Sequence, residues 1–219
     1  MHSKKIEAYK KGLKVNKEMK DIIVGTLLGD GMLETQNGGR TYRLKIEHSI
    51  EQKEYVDWLY EKLKDFVLTP PKRRLRIENG KKQWRYGFNT LSVGNFRFFG
   101  QQFYDKNGKK RIPKIIKKLL TPRAIAVWFM DDGSIKSRRH RGFVIHTLGF
   151  TKKDLKILQK ALKEKYGLKT YLHRQNKYQK TRWRLYIPGS QREKFLQLIR
   201  PYLLPQFQYK LGPTQLPKQ

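Results

Sequence analysis

Cysteine is absent from this 219-residue sequence. Its absence excludes disulfide bonds, zinc sites built from thiolates and cysteine nucleophiles. Long apolar runs are missing as well: none approaches the roughly 18 residues that a membrane-spanning helix needs, and residues 1–17 hold no apolar core of a secretory signal. We therefore expect a protein that is intracellular, is not secreted and has no membrane partner.

Acidic residues are scarce. Fifty Lys and Arg residues stand against 18 Asp and Glu, which gives a formal net charge of +32. Self-repulsion of this size opposes a compact state unless a polyanion offsets it, and nucleic acid is a polyanion whose phosphates supply most non-specific binding energy. A ribosomal-type or membrane-surface protein is the alternative, but such proteins usually carry their charge in tails or on amphipathic helices. Here the charge is spread through segments that are predicted to fold.

An internal repeat divides the chain into two halves. Segment 22–31 matches segment 124–133 at an offset of 102 residues, and Lys110 matches Lys210 at an offset of 100. A repeated Trp-Arg dipeptide within the same order of features is difficult to obtain by chance, so we infer a duplication. At an offset of 99 residues the matched pairs are Glu47 and His146, Leu59 and Leu158, Leu63 and Leu162, Trp84 and Trp183, Arg85 and Arg184, and Phe96 and Phe195.

Each half begins with an apolar segment that we predict to be a buried helix, over residues 21–31 and 122–133. The second helix has Thr121 as its expected N-cap and Pro122 as its first residue. After the first helix, residues 42–47 alternate between polar and apolar side chains. This period of two predicts a strand with one buried face.

An amphipathic helix follows in each half. A capping box is predicted to open it, made by Ser49 with Gln52 in the first half and by Thr151 with Asp154 in the second. Side chains at helical spacing form an apolar stripe that is expected to face the core. The stripe comprises Tyr55, Leu59, Leu63, Phe66, Leu155, Leu158 and Leu162.

A hairpin and a further helix complete each half. In the first half the hairpin turns at residues 79–80, and the last helices are expected near residues 96–103 and 191–203. The order of elements predicts an α+β protein. We expect a first subdomain, a linker rich in Lys and Gly, and a second subdomain, with the boundaries 1–104, 105–121 and 122–219.

Strand alternation separates a charged face of each sheet from an apolar face, which we expect helices to cover. Arg85 and Arg184 lie opposite the neighbouring Trp84 and Trp183. A two-stranded ribbon fits the major groove of DNA, where arginine can read guanine. A solvated sheet face is the alternative, and the bias toward positive charge favours DNA. The predicted DNA contacts are Arg43, Lys45, Arg74, Arg76, Gln83, Arg85, Arg174, Arg182 and Arg184.

Asp30 and Asp132 each end an apolar helix and precede a glycine. We expect Gly31 and Gly133 to adopt the left-handed conformation that ends many helices. A carboxylate at this place faces the negative end of the helix macrodipole, so two of them at matched positions indicate a bound cation. Because only oxygen ligands are available, a hard cation such as Mg²⁺ is expected. Two such ions about 4 Å apart can clamp the attacking and leaving oxygens of phosphodiester hydrolysis.

Gly25 and Gly29 lie four residues apart on the first of these helices. Glycine costs about 1 kcal/mol in a helix interior, although a buried helix can also simply tolerate it. We expect the two glycines to admit the close approach of another helix backbone, an arrangement that would bring Asp30 beside Asp132.

Residues 23–31 and 125–133 both resemble the LAGLIDADG motif, and two copies in one chain resemble the monomeric homing endonucleases. Further residues that resemble this family are Leu120-Thr121-Pro122, the segment 201–206 and the segment 209–211. The resemblance implies two pseudosymmetric αββαββα subdomains with antiparallel sheets that form a DNA-binding saddle. It also implies cleavage of a long, asymmetric duplex target that leaves short 3′ overhangs. The setting would be the prokaryotic cytoplasm or the organelle of a host intron.

The resemblance also implies a role for individual residues. Asp30 and Asp132, the last acidic residues of the two motifs, would be the catalytic carboxylates and the ligands of Mg²⁺, whose sites Mn²⁺ or Ca²⁺ can occupy. The backbone carbonyls of Gly29 and Asp131 would add oxygen ligands to the metal.

One basic residue in each half is expected near a scissile phosphate, and Lys110 and Lys210 match these places. They would polarise water and stabilise the charged transition state. The two halves differ at Glu47 and His146, so a polar residue that positions water would differ between them.

Two other functions stay open on the same scaffold. One is an RNA-splicing maturase, with intron RNA as a further partner, and the other is a non-catalytic DNA-binding protein. Retention of both Asp30 and Asp132 speaks against a loss of cleavage. A zinc-finger nuclease or a nuclease of the histidine-metal type is disfavoured, because cysteine is absent and the five histidines are scattered.

Overall fold

The structure is a computed structural model that describes residues 4–78, 80–137, 140–177 and 180–212. The turn predicted at residues 79–80 therefore lies in part outside the described residues. The chain divides into two compact units: the first comprises Met1–Ile23 and Asp30–Gln101, and the second comprises Val24–Gly29 and Gln102–Gln219. No helix in the described ranges is long and apolar enough to span a membrane.

The first unit contains a four-stranded antiparallel sheet in the order β1-β2-β4-β3. Two helices of this part of the chain, α2 and α4, are divided between the units, because their C-terminal residues cluster with the second unit. The elements are α1 (Lys4–Gly12), α2 (Lys17–Leu28), β1 (Met32–Glu34), β2 (Arg43–Ser49), α3 (Lys53–Leu63), β3 (Lys72–Glu78), β4 (Lys81–Asn89) and α4 (Arg97–Phe103).

The second unit contains a four-stranded antiparallel sheet of the same topology, in the order β5-β6-β8-β7. From α6 onward it repeats the order of elements that runs from α2 to α4, so the α+β class and the predicted αββαββα order are confirmed. The elements are α5 (Ile116–Leu119), α6 (Pro122–Asp132), β5 (Gly133–Ser137), β6 (His140–Ile145), α7 (Lys152–Tyr166), β7 (Tyr171–Lys177), β8 (Lys180–Ile187) and α8 (Arg192–Ile199).

Side-chain caps fix where α2, α6 and α7 begin. The hydroxyl of Thr121 accepts the N–H of Ala124 at 3.1 Å, with Pro122 in the first turn of α6. Thr151 and Asp154 form the predicted capping box of α7. Helix α2 begins earlier than predicted, because the side chain of Asn16 accepts the N–H of Met19 at 2.8 Å and so caps it.

The capping box predicted at Ser49 and Gln52 is wrong. Residues 50–52 form a short 3-10 helix without a side-chain cap, and the hydroxyl of Ser49 instead binds the carboxylate of Glu51. Because a glutamate two residues ahead captures the hydroxyl, α3 begins only at Lys53. The predicted apolar stripe of α3 and α7 is nevertheless buried at every position.

Helices do not cover the whole apolar face of the first sheet, contrary to the prediction. Along β4, Phe88 is buried, whereas Trp84 on the same face is 47% exposed. Leu75 and Ile77 of β3 are exposed by 46% and 72%. The hairpin of β3 and β4 thus has a buried base and an exposed outer part.

Candidate active site and nucleic-acid interface

The C-terminus of α6 is held by a lysine. Lys210 lies in the 3-10 helix Pro205–Leu211, is only 8% exposed, and donates hydrogen bonds to the carbonyls of Met130 and Asp131, the second at 3.2 Å. The last carbonyls of a helix have no partner within the helix and carry its partial negative charge. A buried ammonium at this place therefore satisfies these carbonyls and offsets the macrodipole.

The C-terminus of α2 is held in the same way. The N–H of Gly29 bonds to the carbonyl of Gly25 at 3.1 Å, and the carbonyl of Gly29 accepts a hydrogen bond of 2.8 Å from Lys110. The two lysines that match in the sequence repeat thus make matching contacts. Each lies beside the carbonyl that immediately precedes one of the two aspartates.

These contacts bear on the predicted metal ligands. The carbonyls of Gly29 and Asp131, expected to bind metal, accept hydrogen bonds from Lys110 and Lys210. A carbonyl oxygen has two lone pairs, so an ammonium uses one of them. The two lysines therefore place positive charge at the C-terminal ends of α2 and α6, next to the aspartates.

Gly25 of α2 and Gly29, which directly follows that helix, pack against α6, as expected. A Cβ atom at Gly25 would lie 2.7 Å from the carbonyl oxygen of Ala124 and 2.5 Å from Cβ of Val127, and one at Gly29 would lie 2.6 Å from Cβ of Asp131. Val127 and Asp131 are the residues that replace glycine in the second motif. The side chains of one motif helix thus fill the space that the glycines of the other leave open.

The two motif glycines after the helices are not left-handed, contrary to the prediction. Gly133 has φ −81° and begins β5, and Gly31 is not among the glycines with positive φ. Gly133 is required for a different reason: a Cβ atom there would overlap the ring of Phe129. The chain therefore passes from α6 directly into a strand.

Asp30 lies in the turn after α2, and its side chain is 53% exposed. Its Oδ2 atom is 3.6 Å from Nδ1 of His48, whose side chain is only 4% exposed. A pocket of about 320 Å³ adjoins this pair. Gln52 is one of its lining residues, and Oε1 of Gln52 is buried with no hydrogen-bond partner among the described residues. The pocket is lined by Asp30, Glu47, His48, Ser49, Gln52 and Arg85.

Asp132 is the last residue of α6, and its carbonyl accepts the N–H of His146 at 3.0 Å. Nε2 of His146 lies 3.4 Å from the hydroxyl of Ser134. Burial lowers the pKa of His146, and the neighbouring charges of Arg184 and Lys210 lower the pKa further. The ring is therefore held in its neutral form, which can accept a hydrogen bond from water.

In the first unit, the strand register places the residues that were predicted to contact DNA on one face of the sheet. Arg74 lies opposite Arg85 and Arg76 opposite Gln83, and Ser49 lies opposite Arg85. All six predicted residues of this unit, Arg43, Lys45, Arg74, Arg76, Gln83 and Arg85, therefore share one face.

Carboxylates offset part of the charge on this face. Glu34 pairs with Arg43 at 2.7 Å, and Glu47 pairs with Arg76 at 3.1 Å. Lys72 and Lys81 lie on the same face by register, opposite Gly87 and Glu78 in the ladder. These two lysines were not among the predicted contacts, although strand alternation alone places them on this face.

The corresponding face of the second unit carries Arg182 and Arg184, whereas Arg174, also predicted to contact DNA, lies on the other face. His173 is the residue opposite Arg184, and Arg174 lies opposite Trp183, on the other face of the sheet. On that face Arg174 donates a hydrogen bond of 3.2 Å to Thr181.

An aromatic pair lies on the basic face of the second unit. His173 stacks on Tyr186 with ring centroids 4.2 Å apart, and the ammonium of Lys136 lies 5.0 Å from the centroid of the Tyr186 ring. Lys136 was missed because β5 has no clear alternation in the sequence. Its ammonium and Arg184 add to the effect of burial, which lowers the pKa of His173.

The donor chemistry fits a hard cation. Across the described residues, no group of three or more His, Cys, Asp or Glu side chains could hold a metal ion. The available donors are single carboxylates and helix-terminal carbonyls, all of them oxygen atoms. Mg²⁺ is often bound through one or two carboxylates, with waters and substrate phosphates as its other ligands, so these residues suit a metal that binds together with a phosphate.

Comparison with known proteins links these features to one family. Residues 20–195 match the model of the LAGLIDADG DNA endonuclease family. The chain is 32% identical over 211 residues to DNA endonuclease I-ChuI of Chlamydomonas applanata, covering 91% of this chain and 97% of that protein. It is 30% identical over 202 residues to the cytochrome b mRNA maturase bI2 of Debaryomyces hansenii, covering 90% and 75%. The solved structure of homing endonuclease I-WcaI bound to its DNA recognition sequence superposes with a TM-score of 0.87 at 28% identity, covering 96% of this chain and 93% of that one.

Proposed function

Because the chain belongs to the LAGLIDADG DNA endonuclease family, we propose that it is a site-specific endonuclease that cuts both strands of duplex DNA by metal-dependent hydrolysis. One observation carries the proposal: in each half, an aspartate follows the carbonyls of a buried helix end, and a lysine from a distant segment donates to those carbonyls. A protein that only binds DNA needs neither the carboxylates nor the paired lysines at these places.

Asp30 and Asp132 act as the metal-binding carboxylates, and the carbonyls of Gly29 and Asp131 can add oxygen ligands. When bound, Mg²⁺ supplies a Lewis acid for the phosphate and activates the attacking water; Mn²⁺ or Ca²⁺ can occupy the same sites. Lys110 and Lys210 lie next to these oxygens and offset the charge that develops on a scissile phosphate.

The protein binds the duplex as a monomer, through the basic face of each of its two sheets. Arginine and glutamine side chains on a strand can read base edges in the major groove. The target is asymmetric, since the basic residues of the two faces differ. As the family implies, it is long and its cleavage leaves short 3′ overhangs. The subdomain boundaries 1–104, 105–121 and 122–219 belong to the same proposal, as does an intracellular setting.

The experiment has two steps. First, a duplex that the protein cuts in Mg²⁺ is selected from a random library. Then Asp30→Asn and Asp132→Asn are compared with Asp65→Asn, an exposed aspartate on another segment. Both catalytic variants should lose double-strand cleavage yet bind the selected duplex with largely unchanged affinity when no divalent cation is present, whereas Asp65→Asn should cut normally. Full cleavage by either catalytic variant would remove the assigned carboxylate from the reaction.

A maturase activity is the second candidate, because one relative at 30% identity is named a cytochrome b mRNA maturase. Because both aspartates are retained, one chain can have both the endonuclease and the maturase activity. The test is self-splicing of an intron RNA that carries the reading frame, with and without the protein. Faster splicing that persists in Asp30→Asn would support a maturase role separate from cleavage.

A further inference from the structure

His48 is a buried imidazole in contact with the proposed catalytic carboxylate of its own unit. It lies on the inward face of β2, on the same side as the buried Leu44 and Ile46. Its ring meets the ring of Tyr55 edge-on, with centroids 5.2 Å apart and an angle of 65° between the planes. Its Nδ1 atom lies 3.6 Å from Oδ2 of Asp30.

Burial of a polar ring has a free-energy cost unless its nitrogen atoms find partners. The packing of His48 against Tyr55 limits rotation of the imidazole, so Nδ1 stays directed toward Asp30. A group held in this way can keep a neighbouring carboxylate in one orientation. Partners that orient a metal ligand typically change metal affinity or activity 10- to 100-fold when they are removed.

The second half of the chain has no histidine at the equivalent position. At the offset of 99 residues the position of His48 is held by Thr147, which is buried and donates to the carbonyl of Trp183 at 2.9 Å. Asp132 is itself the last residue of α6, and its carbonyl bonds to the N–H of His146. Asp30 instead lies in the turn beyond α2.

We propose that His48 is a positioning residue that holds the Asp30 carboxylate in the orientation in which it binds the divalent cation, and that only this half of the duplicated chain requires such a group. The proposal rests on the proposed function of Asp30. It assigns His48 no contact with DNA or with the reacting atoms.

The test compares two variants at this position. His48→Leu retains a side chain of similar size but removes Nδ1, whereas His48→Asn places an amide nitrogen near the site of Nδ1. Thr147→Val is the matched control, because it removes the buried polar group from the equivalent position of the other half. Calcium binding to each variant in complex with the selected duplex is measured by calorimetry, and thermal unfolding is recorded for every protein.

The expected result is that His48→Leu weakens calcium binding about tenfold and slows the same DNA strand that Asp30→Asn slows in single-turnover cleavage with Mg²⁺. His48→Asn should recover most of the calcium affinity, and Thr147→Val should bind calcium as the unmodified protein does, even if it unfolds at a lower temperature. If His48→Leu lowers thermal stability but leaves calcium affinity and strand preference unchanged, His48 is only a core residue and the proposal is overturned.

The same data separate this proposal from the function on which it rests. If Asp30→Asn itself leaves calcium binding and cleavage intact, the assignment of Asp30 fails and the inference about His48 fails with it. If Asp30→Asn abolishes cleavage while His48→Leu behaves like the unmodified protein, only the role of His48 is wrong. Loss of calcium binding in His48→Leu without recovery in His48→Asn would also contradict it, because the amide nitrogen should substitute for Nδ1.

Discussion

Lys110 donates a hydrogen bond of 2.8 Å to the carbonyl oxygen of Gly29, the residue immediately before Asp30. Lys210 does the same at the end of α6, where it donates to the carbonyls of Met130 and Asp131. Each lysine therefore has a structural partner in addition to its proposed role at a phosphate. Replacement of these lysines is therefore expected to affect both the stability of the fold and the cleavage reaction.

The first prediction concerns stability. Lys210→Met should lower the free energy of unfolding by about 2 kcal/mol, because hydrogen bonds to charged groups contribute about 1.5–3 kcal/mol and the helix end loses its compensating charge. The measurement is urea unfolding followed by circular dichroism. Lys156→Met, an exposed lysine of α7, is the control and should change stability little. An equal loss in both variants would contradict a specific role for the helix-end contact.

The second prediction concerns the order of strand cleavage. Lys110→Met should slow the cutting of one strand more than the other, and Lys210→Met should favour the opposite nick, because each ammonium offsets charge at its own phosphate. Loss of one such electrostatic contact typically costs about 3–4 kcal/mol in the barrier. Single-turnover reactions on a duplex labelled on either strand, run well below the unfolding temperature, measure both rates. Equal slowing of both strands in both variants would remove the lysines from the chemical step.

The third prediction uses the two faces of the second sheet. Arg184→Ala should weaken duplex binding and reduce the slope of log K against log salt by about 0.9, the value for one phosphate contact. A base contact by Arg184 would instead lower sequence preference and leave the slope nearly unchanged. Arg174→Ala changes the same residue type in the same hairpin on the opposite face, so it should leave the affinity and the slope unchanged. A larger loss from Arg174→Ala would mean that the duplex lies on the other face.

The fourth prediction concerns the contact between α2 and α6. Gly25→Ala should destabilise the protein by about 1–3 kcal/mol, the typical cost of overpacking, because the new Cβ atom would press on Val127 and on the carbonyl of Ala124. Gly94→Ala is the control, since nothing lies within 4 Å of a Cβ atom there. Adding Val127→Ala should recover only part of the loss, because the carbonyl of Ala124 stays in place. Wild-type stability in Gly25→Ala would show that α2 shifts to make room.

The fifth prediction concerns pH. Burial and the charges of Lys136 and Arg184 lower the pKa of His173 in the folded protein, whereas the unfolded chain titrates near the ordinary value of about 6.5. The contribution of the neutral imidazole is therefore fully present above about pH 6.5 and is lost as the pH falls through the lower pKa of the folded state. Unfolding measured between pH 7.5 and 5 should show a smaller loss in His173→Asn than in the unmodified protein. Identical slopes would assign the pH dependence to other groups.

Much of the fold was predictable because it depends on local chemistry. Thr121 and Pro122 begin α6 by capping and by a fixed φ angle, and both act within one turn of the helix. The glycines of α2 indicated a close helix contact because glycine is otherwise unfavourable there. Local reasoning failed at Ser49, where Glu51 competes for the same hydroxyl, and at Gly133, where the ring of Phe129 rather than the backbone angle demands glycine.

The candidate site was predictable in part. The aspartates and lysines were found because the duplication repeats them, and a repeat is visible in one sequence. His48 was missed, since a lone histidine on an alternating strand looks like any other, and its partner Asp30 is separated from it by the whole of β1 and a loop. The contact of Lys110 with Gly29 was equally invisible, because it joins segments that are distant in the chain.

The sequence by itself determined the duplicated αββαββα order, the buried helices and the two aspartates at their C-terminal ends, because helix and strand periods and capping chemistry act over a few residues. Only the tertiary structure decided which side chains share a face and which meet at the site. Alternation along β7 and along β8 is fixed by each strand alone, but the pairing of Arg174 with Trp183 depends on the register between the strands. A slip of one residue moves every side chain to the other face, and that register is set by the turn and by the packing of the buried residues.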